Sequence, residues 1–310
     1  MTAPRLGVLD IGSNTVHLLV FKTDRGRRPV PTASERTVLR LMQYVDGDGS
    51  ITAEGVAVLE SAVDKALGRV RADGVEELLV MVTSAIREAN NGESVLAGLR
   101  ELIGTDVQVL SGPDEARLTF LAVRRWYGWN SGRLLVLDIG GGSLEVATGK
   151  DEVPKLAVSL PLGAARLTHD LLPDDPATPE QLANLSTVVD EALHPLVGQM
   201  AQMRKPDHVV ATSKTFRSLA RLAGMQTAGV GREPRWRMST AQLADWVPRL
   251  ARIPAEQRME LPGITAERTY QIVAGAVVAE RVLTRLRVKT VEICPWALRE
   301  GALLRRLDLS

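Results

Sequence analysis

The chain has 310 residues, 45% of them hydrophobic, enough for two domains with separate cores. Lys plus Arg number 38 against 37 Asp plus Glu, so no whole-molecule field draws in nucleic acid or a membrane surface, and any anion site has to be local. The single cysteine, Cys294, excludes an internal disulfide and a cysteine-based zinc cluster, and it reads as a small buried residue in a reducing compartment.

The opening MTAPRLGVLDIG lacks the pattern of a signal peptide, and no apolar run reaches the ~18 residues of a membrane span, so a cytoplasmic protein is expected. Leu6 to Asp10 reads as a buried strand, Val16 to Phe21 as its hairpin partner, and RTVLRLM from Arg36 as a third strand. A helix follows, capped by Thr52, with Val56, Leu59, Val63, Leu67 and Val70 on one face and Gly74 as its stop. ELLVMVT is a strand, Ser94 to Ile103 a helix, DVQVLS a strand, and Asp114 to Trp126 a helix opened by Pro113. The order is βββαβαβα.

From Arg133 the same order returns. RLLVLDI, LEVATG and KLAVSL are strands, followed by a long helix between Pro179 and Met203, the strand DHVVAT and the helix KTFRSLARLAG. After a loop-rich insertion come a helix from Glu267 to about Arg285, the strand KTVEIC and a last helix through ALREGALLRRL. Within the insertion, VGREPRWRM sets Arg232, Arg235 and Arg237 around Trp236 and reads as a solvated loop anchored by the tryptophan.

The pentapeptide VLDIG opens both copies, at Val8 and at Val136, 128 positions apart. Each time an apolar strand reaches an Asp, turns through small residues and leaves as a second strand. A glycine-rich turn exposes backbone amides that can hold phosphate oxygens. Gly12, Ser13 and Asn14 offer one such turn, and Gly140, Gly141, Gly142 and Ser143 the other. Asp10 and Asp138 stand where a carboxylate could hold hydrated Mg²⁺ beside phosphate, with Mn²⁺ as the alternative ion. A lone DIG would be an ordinary hairpin; matched copies in repeated units argue for a site. Neither turn fits GxxxxGK[ST] or GxGxxG.

His17, His169, His194 and His208 show no metal-ligand spacing, which turns the search for a base to carboxylates. Glu115, in SGPDEARL, falls in the first turn of a helix just after a strand, where an acid either complements the helix dipole or, beside phosphate, activates water. Glu145, on the outgoing strand of the second hairpin, is a further carboxylate. In VTSAIREANN, Thr83, Ser84 and Arg87 end a strand and start a helix, so hydroxyls and a guanidinium can converge on phosphate.

The repeated βββαβαβα order with an Asp-Gly hairpin opening each copy resembles the actin, hexokinase and Hsp70 superfamily. That resemblance implies an α/β fold of two ribonuclease H-like (actin-like ATPase) domains, 1–128 and 129–310, with an active-site cleft between them and the final helix, about 297–310, packed back on the first. More specifically, DIGSNTVHLLV, TSAIREANN, SGPDEARL, VLDIGGGSLEV, SLPLGAARL and LREGALL occur in the order seen in the exopolyphosphatase and guanosine pentaphosphate phosphohydrolase family, in its short two-domain form. The resemblance implies Mg²⁺-dependent hydrolysis of a terminal phosphate from inorganic polyphosphate or pppGpp, an alarmone (ppGpp or pppGpp) as a further ligand, and a homodimer. Glu115 resembles the family's general base, and Asp138 and Asp10 its metal carboxylates. Glu145 matches another acidic position of the active site. Ser13 and Asn14 resemble the first phosphate loop, Gly140 to Ser143 the second, and Arg87 the substrate-binding arginine.

Two departures matter. The family's GTSGT appears as ATSKT from Ala211, so Lys214 replaces a glycine near the position where the superfamily brings a nucleoside, which favours a chain of phosphates. The family's RAD appears as Arg268, Thr269 and Tyr270, and Arg268 joins Arg87 and Lys214 as a candidate cation for the polymer. The expected activity is therefore an exopolyphosphatase; pppGpp hydrolysis, a non-catalytic polyphosphate or alarmone sensor, and a kinase are its rivals.

Overall fold

The computed structural model describes residues 4–22, 29–228 and 235–309. In chain order its first elements are β1 (Arg5–Ile11), β2 (Thr15–Lys22), β3 (Pro31–Val38), α1 (Ala53–Ala72), β4 (Glu77–Val82), α2 (Ser84–Arg87), α3 (Gly92–Ile103), β5 (Val107–Val109) and α4 (Gly112–Tyr127). Then come β6 (Leu134–Ile139), β7 (Leu144–Gly149), β8 (Leu156–Leu160), α5 (Ala164–Leu171), α6 (Pro179–Ala201), β9 (His208–Thr212), α7 (Ser213–Leu222), β10 (Gln226–Ala228), β11 (Arg235–Ser239), α8 (Thr240–Arg252), α9 (Ala255–Arg258), α10 (Ile272–Arg285), β12 (Thr290–Ile293) and α11 (Leu298–Asp308). The chain divides into two compact units, Met1–Glu115 with Leu298–Ser310, and Ala116–Ala297. Helix α11 therefore belongs with the first unit.

The first unit is a five-stranded mixed sheet ordered β3-β2-β1-β4-β5. β1 pairs antiparallel with β2 and parallel with β4, because a tight turn permits only the first and the α1 crossover permits the second. α1 forms as its periodicity predicts: the Thr52 hydroxyl accepts the Gly55 amide at 3.2 Å, and Leu59, Val63 and Leu67 are buried. The third strand corrects the expectation. It spans Pro31–Val38 and stops before Leu39 because Arg40 adopts a left-handed backbone, φ 55°, that turns Leu41–Tyr44 into a short 3₁₀ helix.

The second unit is a seven-stranded sheet ordered β10-β11-β12-β9-β6-β7-β8. Its stretch β8-β7-β6-β9-β12 repeats the order and pairing senses of the first unit, two antiparallel pairs followed by two parallel ones. The α/β repeat expected from VLDIG is thus present. The insertion is more ordered than expected, since β11 and β10 extend the sheet antiparallel from β12 and α8 follows. Trp236 and Arg237 lie on β11, not in a solvated loop, and Trp236 packs against the unit's core; Arg232 lies outside the described residues. α6 carries a capping box between Thr178 and Gln181, whereas α10 starts at Ile272, five residues later than expected, after turns through Arg268. Cys294 is fully buried.

Candidate active site

Both VLDIG hairpins close with the same hydrogen bond, Gly12 N–H to Thr15 O at 3.0 Å and Gly140 N–H to Ser143 O at 2.9 Å. Both place their Asp at the end of the first strand, and both set a polar residue directly opposite it, Asp10 against His17 and Asp138 against Glu145. His17 and Glu145 are equivalent positions of the repeat, so the two halves have diverged there: only the second presents paired carboxylates.

In the first unit, Ser13 and Ser84 bring their hydroxyls to 3.3 Å in a buried contact, which joins the first turn to the start of α2. The Asn14 amide nitrogen Nδ2 is buried with no hydrogen-bond partner among the described residues, an unmet donor in the turn expected to hold phosphate. Glu115, 6% exposed, accepts from Arg87 Nη1 at 2.6 Å. Arg87 also donates to Leu110 O and Glu88 Oε1. Burial pulls the Arg87 pKa down, but hydrogen bonds and charge from Glu115 and Glu88 outweigh it, and the net shift is upward. Arg87 is thus placed first as the holder of Glu115.

Asp10 pairs with Arg299 of α11, Nη1 to Oδ2 at 2.8 Å. Burial pushes the Asp10 carboxyl above its usual range, and Arg299 pulls against that shift by charge and hydrogen bond. Arg299 lies in the LREGALL segment but drew no role from the sequence.

In the second unit, one row across the sheet carries Thr212, Asp138, Glu145 and Ser159 on β9, β6, β7 and β8. Ser159 Oγ donates to Glu145 Oε1 at 2.8 Å and holds this buried carboxylate in place. The glycine turn beside the row is gripped from behind by α5. Ala164 N–H donates to Gly140 O, Ala165 and Arg166 N–H to Gly141 O, and Arg166 Nε to Gly142 O at 2.9 Å. With those carbonyls drawn to α5, the amides of Gly141, Gly142 and Ser143 have no backbone acceptor among the described residues and are the groups available to an anion. Gly163 makes the approach feasible: a Cβ there would overlap Gly141 O, Gly142 C and Ser143 N.

Lys214 and Arg268 are neighbours. Lys214 Nζ lies 3.7 Å from Glu267 Oε1, and Arg268 Nη1 donates to Thr215 Oγ1 at 3.1 Å. The charge of Lys214 is therefore partly matched, and Arg268 is buried, not spread along a surface. Ser213, just before Lys214, carries φ 77°, a left-handed conformation costly for a residue with a side chain. Lys214 itself needs no such backbone, which explains why a lysine is tolerated there.

Three of the four histidines have side-chain hydrogen bonds among the described residues. His17 bonds Ser34, His169 bonds Asp170, and His208 bonds Glu292. Among the described residues no three His, Cys, Asp or Glu side chains gather into a metal cage, and no helix is long and apolar enough to cross a membrane.

The sequence model of the Ppx/GppA phosphatase family matches residues 19–310. The chain belongs to the Ppx/GppA phosphatase family. Among curated Ppx/GppA relatives, Exopolyphosphatase 1 of Mycobacterium tuberculosis is 49% identical over 304 residues, covering 98% of this chain and 88% of that one. Exopolyphosphatase 1 of Mycobacterium leprae is 48% identical, covering 98% and 90%. Among solved structures, an exopolyphosphatase from Cytophaga hutchinsonii superposes with a TM-score of 0.87 at 24% identity over 98% of both chains. The Aquifex aeolicus Ppx/GppA protein gives 0.78 at 24% identity over 99% of this chain and 98% of that one. These structures share the fold.

Proposed function

We propose that this phosphatase is an exopolyphosphatase that removes the terminal phosphate of inorganic polyphosphate as orthophosphate. The observation that carries the reading is Glu115, a buried carboxylate held by Arg87. A water would give its proton to Glu115 while its oxygen forms a bond to the terminal phosphorus, and the bond from that phosphorus to the bridging oxygen breaks, leaving the polymer one phosphate shorter. The amides of Gly141, Gly142 and Ser143, and Ser13 and Asn14 in the first unit, are suited to holding phosphate oxygens. Names of relatives at 48–49% identity support the choice of substrate.

Asp138 with Glu145 across the β6–β7 ladder, and Asp10 in the first unit, supply the carboxylate oxygens that a hard cation prefers. A hard cation held by one or two carboxylates completes its shell with water and phosphate, and we assign it as Mg²⁺, with Mn²⁺ as the alternative. When bound, Mg²⁺ neutralises phosphate charge. We assign Lys214 and Arg268 to the inner phosphates and read Lys214 as disfavouring a nucleoside. We further assign the enzyme to the cytoplasm, as a homodimer.

The test is phosphate release by the purified protein with Mg²⁺ from tripolyphosphate, long-chain polyphosphate, pppGpp and ATP, repeated with Lys214→Gly. Release from polyphosphate, with the ratio of polyphosphate to pppGpp use falling in Lys214→Gly, is expected. Preference of the wild type for pppGpp would overturn the substrate assignment, and binding without release from any of the four would make the protein a sensor.

A further inference from the structure

The strands β6, β9 and β12 run parallel, and Asp138 and Thr212 lie toward their C-terminal ends. At the opposite ends of the same strands the second unit has a groove of about 1030 Å³. Its walls are the last turns of α6 and α10 and the connections leading into β9 and β12. Leu135, Val197, Met200, Val209 and Val288 give it an apolar floor. Its charged lining consists of Arg204, Lys205, Arg285, Arg287 and Lys289, with no acidic residue.

These cations differ from others on the molecule. Arg69, Arg125, Arg281 and Arg306 each sit against a carboxylate. None of the five in the groove has an ion pair or side-chain hydrogen bond among the described residues, and Arg285 Nε is buried without a partner. Two helix C-termini end here and each contributes roughly half a negative charge, so about four positive charges remain uncompensated. A cleft of one sign with apolar walls focuses its field and concentrates counter-ions. In a chain whose net charge is only +1, such a concentration needs a polyanion to explain it.

We propose that this groove is an accessory site for inner phosphates of a long polyphosphate chain, remote from the phosphate being removed. The inference rests on the exopolyphosphatase reading for its ligand. Leu135 is three residues before Asp138 on β6, about 10 Å along the strand, so the polymer must leave the glycine turn and pass around the unit to reach the groove. Short chains cannot occupy both places. A second point of attachment raises apparent affinity through effective concentration without altering the chemical step.

The test is steady-state kinetics of the full chain and of a Lys205→Glu, Arg287→Glu, Lys289→Glu variant on tripolyphosphate and on long-chain polyphosphate. We expect KM for the long chain to rise by about tenfold or more, with kcat and the tripolyphosphate KM unchanged. The corresponding triple Gln variant, which guards against misfolding from charge reversal, should show a smaller rise in the same direction. An unchanged long-chain KM in both variants would overturn the proposal. If the wild type hydrolyses no polyphosphate, the activity reading fails separately, and direct titration with long-chain polyphosphate still decides the groove: equal affinity of wild type and variant overturns it. Titration with polyglutamate is the remaining arm, and charge-dependent binding of that polymer in place of polyphosphate would reassign the groove to an acidic protein partner.

Discussion

Arg87 and Glu115 form a 2.6 Å ion pair between the end of α2 and the first turn of α4, and the carboxylate of the pair is nearly inaccessible. The 2.6 Å contact fixes the direction in which this buried carboxylate points. Glu115→Gln keeps the shape and a hydrogen-bonding oxygen but cannot take a proton. We expect kcat to fall by roughly 10²–10⁴ with little change in KM or melting temperature. Arg87→Ala removes the arginine that holds this buried carboxylate and should cost about 2 kcal/mol of stability in addition to activity, as read by urea denaturation.

The Asp10–Arg299 pair calls for a double-mutant cycle. Arg299→Met removes the cation whose charge and hydrogen bond offset the burial of Asp10, and the expected loss is about 3 kcal/mol. Asp10→Asn combined with Arg299→Met should cost less than the two single changes added together, because the uncompensated charge is then gone. Additive losses would show that the pair is not coupled.

Two glycines give a contrast that distinguishes packing from propensity. Gly163→Ala forces a methyl into the backbone of the second glycine turn and should lose about 1–3 kcal/mol and most phosphate release. Gly198→Ala lies at an exposed position of α6 with nothing near its Cβ and should gain up to about 1 kcal/mol at unchanged activity. Thermal melts and the phosphate assay check both.

Glu292 is a buried acid with side-chain partners in Tyr127, His208 and Arg237, away from the proposed chemistry. Burial pushes its pKa up, but hydrogen bonds from His208 and Tyr127 and the charges of His208 and Arg237 outweigh this, so the carboxyl lies below its usual range. A depressed carboxylate adds stability that is complete above the unfolded value of ~4.3 and is lost as pH falls through the folded value. Glu292→Gln should therefore be about 2 kcal/mol less stable at neutral pH, and the gap should close as the pH drops below ~4. A gap that persists unchanged into acid would refute the assignment.

Elements with strong local signals were legible in the sequence. β1 and β2 follow from a buried run and a tight turn, and α1 from its spacing and Thr52. α5 was missed because its cap is Gly163, which offers no side chain, and because SLPLGAARL is too short to show a period. The ordering of β11 depends on pairing with β12 far along the chain, so local composition suggested a loop. Glu115 was legible as a candidate from its place after a strand, and the structure shows it buried against Arg87. Arg299 was not, since its partner is 289 positions away, and neither was the matching of Lys214 by Glu267.

The membership of α11 in the first unit has a consequence for synthesis. Asp10 leaves the ribosome 289 residues ahead of Arg299. At ~5–20 residues per second, the nascent first unit holds an acid without its counter-charge for roughly 15–60 s. Its sheet can assemble early, but the Asp10 carboxylate gains its counter-charge only when α11 emerges, so a chain interrupted before α11 would carry most of the first unit with a buried acid unmatched by Arg299.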